Sequence, residues 1–145
     1  MGEVIDSFGP GRGFGEEALV SGEPRNATIR VTEAGSVARL SAEDFHRLLR
    51  DPLLSTTALD DLPAQSILVD VRLPEEYARG HLPGAINVPL RSLRGEASGM
   101  DKACPLVVYC DTGRRSASAA FLFSERGFNV RLVKDGVSAE QMSES

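Results

Sequence analysis

The sequence predicts an α/β fold in which a parallel sheet is covered by helices on both faces. Two short, almost unbroken apolar runs, Ile67-Leu-Val-Asp-Val71 and Leu106-Val-Val-Tyr109, suit strands buried on both sides. Helical stretches alternate with the strand-like ones, which calls for crossover connections and therefore for parallel pairing. Apolar residues are 41% of the 145 and glycines number 14, about half of the chain together, which is enough to build a packed core.

Along the chain, residues 8–15 are glycine-rich, and Ala27-Thr-Ile-Arg-Val31 has the β-branched alternation of a strand. Ser41 begins a helix: Ser41-Ala-Glu-Asp44 has the form of a capping box with Asp in place of Glu, and Phe45, Leu48 and Leu49 share a face. Asp51-Pro52 ends that helix, and residues 53–65 form a linker with a short first strand and a turn. After the run at 67–71, Pro74-Glu-Glu-Tyr-Ala-Arg-Gly80 places proline at the first helical position and glycine at the stop. Ala85-Ile-Asn-Val88 is a short strand, and Leu106-Val-Val-Tyr109 a buried one with Cys110 at its end. Residues 115–126 form a helix with Ala117, Ala120, Phe121 and Ser124 along its core stripe and Gly127 as terminator. Asn129-Val-Arg-Leu-Val133 is the last strand, and residues 138–145 are a polar, frayed tail.

Charge and composition exclude several classes of function. Asp and Glu total 21 against 16 Lys and Arg, for a net charge of −5 and a pI near 5.1. A general nucleic-acid or membrane-surface binder would carry a basic face instead. The longest apolar runs are five residues, far short of the ~18 of a membrane span. The start of the chain lacks the basic-then-apolar pattern of a secretion signal. Cys104 and Cys110 are too few for a disulfide framework, which points to a reducing, cytoplasmic setting.

The loop Cys110-Asp-Thr-Gly-Arg-Arg-Ser116 joins the C-terminal end of a strand to the N-terminus of a helix, the edge where open α/β sheets bind ligands. Unpaired N–H groups of the first helical turn face that point, and the helix dipole adds partial positive charge. Gly113 lets the backbone curl into an anion-binding nest. Arg114 and Arg115 against Asp111 give the loop a charge of +1. Each of these factors favours thiolate over thiol, so Cys110 is the predicted nucleophile. A carboxylate at Asp111 works in the opposite sense. Asp70 and Arg72 are assigned a structural hydrogen-bond or ion-pair role rather than direct substrate contact, His81 a turn-fixing role, and Cys104 a structural or incidental one. No Cys/His cluster has metal-ligand spacing, and Gly11-Arg-Gly-Phe-Gly lacks the strand–helix context of a dinucleotide fingerprint, so neither metal nor cofactor is called for.

Val69-Asp-Val-Arg72, Glu75-Glu-Tyr77, Gly80-His-Leu-Pro-Gly-Ala-Ile-Asn-Val-Pro89 and Cys110-Asp-Thr-Gly-Arg-Arg-Ser-Ala117 together resemble a rhodanese domain, in order and in spacing, over residues 53–140. The resemblance implies a sulfurtransferase whose loop cysteine takes the outer sulfur of thiosulfate or a similar donor, holds it as a persulfide and passes it to a thiol or to cyanide. By position it makes Cys110 catalytic and the amides of Asp111, Thr112, Gly113, Arg114, Arg115 and Ser116 the cradle, with Arg114 and Arg115 holding the anionic donor. Cysteine phosphatases on comparable loops place five residues between Cys and Arg. Here four separate Cys110 from Arg115, a tighter cradle that suits a persulfide better than a phosphate.

A second resemblance precedes the first. Phe14-Gly-Glu-Glu-Ala-Leu19 and Pro24-Arg-Asn-Ala-Thr28 are similar to the phosphate-binding cassette of cyclic nucleotide-binding domains. It implies that amides at Gly15 to Ala18 face a phosphate, Arg25 neutralises it and Glu16 accepts from the ribose hydroxyl. Glu17 departs from the usual apolar residue there. The expected organisation is thus a partial β-roll segment and helix at 1–52, a rhodanese-like domain at 53–140 and a tail at 141–145. The strands that would complete a β-roll would lie before Met1, so weak or no binding of cAMP or cGMP is expected in this chain. In a longer parent the arrangement would join a sensor to a sulfur-transfer domain. The rival assignment is a cyclic nucleotide-responsive regulatory protein with a non-catalytic rhodanese module.

Overall fold

The computed structural model describes the chain apart from residues 1, 5, 16, 17, 20–23, 26 and 143–145. Five strands form one sheet: β1 (Thr56–Thr57), β2 (Ile67–Asp70), β3 (Ile86–Asn87), β4 (Leu106–Tyr109) and β5 (Val130–Val133). Their order is β1-β5-β4-β2-β3, and every neighbouring pair is parallel. The helices that pack with the sheet or lead into it include α1 (Ala42–Phe45), α2 (Pro74–Arg79), α3 (Leu93–Ala97) and α4 (Arg114–Glu125). The α/β class with a parallel sheet is therefore as the sequence predicts.

Strand β4 is central and buried along its whole length. Its alternation divides the core in two, because successive side chains of a strand point to opposite faces. Leu106, Val108 and Cys110 join Val69, Leu93, Ala119, Ala120 and Phe123 on one face. Val107 and Tyr109 join Leu82, Ala85, Val133, Val137 and Met142 on the other. The same alternation aims Cys110 at α4, which carries the cradle.

Several expectations are corrected. The stretch at 27–31 forms no strand: Ile29 and Val31 are exposed, and no other segment among the described residues offers it a ladder of hydrogen bonds. Ser41 caps α1 as expected, its hydroxyl accepting from the Asp44 N–H at 3.1 Å, but of the predicted face only Phe45 is buried while Leu48 and Leu49 are exposed. The chain does not stop at Pro52. A π-type turn, His46–Arg50, leads into a 3-10 turn, Asp51–Leu53, where proline sits in the first turn and needs no N–H. Of the predicted core stripe of α4, Ala117 and Ala120 are buried in the first core cluster and Phe121 packs against it, while Ser124 is exposed; Ser116, Ala119 and Phe123 are buried as well. The tail is not frayed at its start, since Met142 is buried in the second core cluster. Helix α3 was not anticipated, although Leu90, Leu93 and Ala97 have helical spacing and the last two are buried.

Candidate active site

The site begins where β4 ends. Gly113 takes the left-handed conformation (φ 86°), which favours a residue without a Cβ, and forms the N-cap of α4. This turn sends the chain back over Cys110. The Gly113 N–H donates to Cys110 Sγ at 3.1 Å and the Ser116 N–H at 3.4 Å, while Ser116 Oγ lies 3.3 Å from the same sulfur. Cys110 and Ser116 are both fully buried. Three polar groups thus converge on one sulfur at the positive end of a helix of twelve residues.

Two other amides of the loop are used otherwise. The Thr112 N–H donates to Asp111 Oδ1 at 2.9 Å, and the Arg114 N–H to Thr112 Oγ1 at 3.4 Å. Of the predicted cradle amides, those of Gly113 and Ser116 are therefore the ones that reach the sulfur.

Arg115 is held by carboxylates. Its guanidinium donates to Glu76 Oε2 and Oε1 at 2.7 and 2.9 Å in a bidentate pair, and to Asp111 Oδ1 at 3.0 Å. Glu76 also accepts from the Leu73 N–H at 2.9 Å, which caps α2. The Arg115 pair outweighs partial burial and brings the Glu76 carboxyl down to about 2. Burial pushes Asp111 upward, but Arg115 and the Thr112 N–H leave it below the usual carboxylate range. Arg115 is raised in turn, by Glu76 first and Asp111 after it, against the opposing effect of burial. The Asp111 charge that works against a thiolate is thus answered within the loop. Arg114 is exposed and makes no ion pair among the described residues.

The supporting motifs are structural. Buried Asp70 accepts from Arg72 Nη2 at 2.6 Å, and the same Nη2 donates to the Gly80 carbonyl at 2.7 Å. Burial lowers the Arg72 guanidinium, but its bond to Asp70 leaves it raised overall. Asn87 Nδ2 donates to the carbonyls of Asp70 and Arg72, both at 3.0 Å, which ties the mouth of β2 to β3. His81 stacks on Tyr77 at 3.8 Å, and its Nδ1 lies 2.9 Å from the Tyr77 carbonyl, so it fastens the turn after α2. Cys104 is a half-buried free thiol, and no disulfide joins it to Cys110.

In the N-terminal region, Gly15 is left-handed (φ 83°), and the Arg25 guanidinium carbon lies 4.0 Å from the point where a Gly15 Cβ would stand. The structure thus brings these two predicted residues together, with Arg25 exposed and Ala18 half-buried. Glu16 lies outside the described residues. The Leu19 carbonyl is 3.2 Å from His46 Nε2.

Sequence reasoning missed Glu76 as a member of the site. Its signal was charge complementarity: an acidic first turn at Glu75-Glu76, facing a loop with two adjacent arginines.

Comparison with known proteins agrees with this geometry. Residues 54–142 match the model of the rhodanese-like domain, and residues 1–51 match that of the cyclic nucleotide-binding domain. The chain is 35% identical over 85 residues to the thiosulfate sulfurtransferase PspE of Escherichia coli, covering 56% of this chain and 82% of that protein. It is 28% identical over 154 residues to the adenylyltransferase and sulfurtransferase UBA4 of Saccharomyces cerevisiae, covering 86% of this chain but only 33% of that protein. The crystal structure of a thiosulfate sulfurtransferase from Pseudomonas aeruginosa superposes with a TM-score of 0.56 at 33% identity, over 63% of this chain and 19% of that one.

Proposed function

The chain belongs to the rhodanese-like domain family through residues 54–142, and from that premise we propose that it transfers sulfane sulfur through a persulfide on Cys110. The observation that carries this reading is the convergence of the Gly113 N–H, the Ser116 N–H and the Ser116 hydroxyl on Cys110 Sγ. Sulfurs accept hydrogen bonds weakly when neutral, and such a ring stabilises negative charge there.

The reaction has two displacements. The Cys110 thiolate attacks the outer sulfur of a sulfane donor, and the donor S–S bond breaks with its electron pair leaving on the other fragment. For thiosulfate that fragment is sulfite. The loop then holds Cys110–S–S⁻. An acceptor thiolate or cyanide attacks the terminal sulfur, and the Cys110 thiolate departs. Arg114, exposed on the loop rim, attracts the anionic donor. Arg115 orients the loop through Glu76 and Asp111. Cys110 is fully buried, so loading requires the loop around it to open.

The test is intact mass after incubation with thiosulfate. One added sulfur that cyanide removes, and that Cys110→Ser never acquires, is the expected result. A wild-type protein unmodified by thiosulfate and by small-molecule persulfides would overturn the proposal. Turnover of an aryl phosphate that depends on Cys110 would replace it with a phosphatase.

A second reading, in which cyclic nucleotides regulate the domain within a longer parent protein, is supported by the match of residues 1–51 and by the approach of Arg25 to Gly15. A route exists between the two regions: Phe45 meets Phe121 of α4 edge to face at 5.7 Å, and Arg50 Nη1 donates to Ser118 Oγ at 3.5 Å.

A further inference from the structure

The Cys110 loop does not hold its shape alone. The chain leaving β5 turns through two successive left-handed residues, Asp135 (φ 63°) and Gly136 (φ 78°). A left-handed aspartate is uncommon and persists only where the surroundings impose it. Here the turn lies against the backbone of the cysteine loop. The Val137 N–H donates to the Cys110 carbonyl at 2.9 Å. A Cβ on Gly136 would overlap the Asp111 carbonyl oxygen, and would stand 2.6 Å from the Asp111 carbonyl carbon and 2.9 Å from the Gly113 nitrogen. In the reverse direction, a Cβ on Gly113 would stand 3.4 Å from the Gly136 nitrogen and 3.7 Å from the Asp135 carbonyl carbon. The missing side chain at Gly136 therefore lets two loops touch backbone to backbone, whereas a Cβ on Gly113 would make only ordinary contact, and one of the touched atoms is the nitrogen whose N–H points at Cys110 Sγ.

We infer that Gly136 is a positioning residue of the site: the Asp135–Val137 turn clamps the Cys110–Gly113 backbone and sets the direction of the Gly113 N–H. Any side chain at 136 must displace backbone rather than a flexible tip, so the Asp111–Thr112 peptide would move and carry the Gly113 donor away from the sulfur. The inference rests on the sulfur-transfer reading for its kinetic consequence but not for its geometry.

Gly84 supplies the control, since it has the same left-handed backbone (φ 79°) and nothing within 4 Å of a prospective Cβ. Gly136→Ala and Gly84→Ala thus carry similar backbone strain, and only the first carries the collision. Both are expected to lower Tm. In Gly136→Ala, persulfide loading of Cys110 from thiosulfate is expected to slow at least tenfold, and the Gly113 and Ser116 amide resonances to move. In Gly84→Ala, loading stays within twofold and those resonances stay in place. Equal loading rates in the two variants with unshifted Gly113 and Ser116 amides would overturn the inference. If wild-type Cys110 takes up no sulfur, the amide shifts still decide the clamp, so the two proposals fail separately. Should Gly136→Ala not fold, the unsubstituted protein decides: a Gly136 Hα to Gly113 amide Overhauser contact and slow exchange of the Val137 amide are expected. Loss of both would overturn the clamp.

Discussion

Two segments of nearly the same composition meet opposite fates. Thr28-Ile-Arg-Val31 and Val130-Arg-Leu-Val133 share β-branched residues, an arginine and alternation. The second is strand β5, seated between β4 and β1 with Leu132 paired to both Val108 and Thr56. The first is exposed chain. The contrast extends to their surroundings: Val4, Phe8, Phe14, Ile29, Val31, Val37 and Leu40 are exposed, whereas Val69, Leu106, Val107, Val108 and Tyr109 are fully buried. Strand propensity expresses fit to a half-buried pleated surface. Without a neighbouring ladder the same residues have nothing to fit.

The sheet region should therefore fail on single substitutions that the N-terminal region tolerates. The largest loss of stability is expected from Arg72→Ala. It strands the fully buried Asp70 carboxylate and frees the Gly80 carbonyl, and breaking one side of a buried pair costs about 3–5 kcal/mol. Next comes Leu106→Ala in the first core cluster, at about 2–5 kcal/mol for a large-to-small core change. Val31→Ala should change stability by no more than about 0.5 kcal/mol, as an exposed substitution does. Urea midpoints of the three variants check this ranking. A Val31→Ala loss comparable to that of Leu106→Ala would erase the contrast between the regions.

A smaller effect is expected at the strut between α2 and the cysteine loop. Glu76 titrates in the folded protein at about 2, against an ordinary value of 4.5. Its folded value is depressed, so between these two values the unfolded chain binds more protons and stability rises with pH. The contribution is complete above pH 4.5 and is lost as pH falls toward 2. Glu76→Gln should flatten that acid limb of the stability curve. It should also slow sulfur loading about tenfold or more, the scale expected when a catalytic group is displaced by a fraction of an ångström to an ångström. An acid limb as steep as that of the parent would show that the Arg115 pair does not form in solution.

The parts of the molecule that could be read in advance are those where local pattern and tertiary demand coincide. Ile67–Asp70 and Leu106–Tyr109 are apolar enough to be buried strands in any arrangement. Proline and glycine mark α2 at both ends, and the proposed nucleophile, Cys110, stands at a strand-to-helix junction. The α4 stripe is legible at Ala117, Ala120 and Phe121 but not at Ser124, because small residues line several faces of this helix and Ser116, Ala119 and Phe123 are buried beside them. The roles of Arg115 and Gly136 were out of reach for a different reason. Both depend on partners far along the chain, Glu76 for one and the Asp111–Gly113 backbone for the other, and a pattern of single residues carries no information on such contacts.

The weakest expected effect concerns the N-terminal region itself. Gly15 and Arg25 lie together, as a phosphate-binding cassette requires, but Arg25 is exposed and no strand among the described residues 1–55 supplies a wall behind it. A phosphate contact made in water is screened by salt and competes with hydration, so one exposed guanidinium adds little affinity. Calorimetric titration of this chain with cAMP and with cGMP should therefore give no measurable binding heat, and sulfur loading should be the same with and without either nucleotide. Tight binding that Arg25→Ala removes would show the opposite. It would mean that residues 1–51 form a nucleotide site after all, and that the contacts of Phe45 with Phe121 and of Arg50 with Ser118 lie between that site and Cys110.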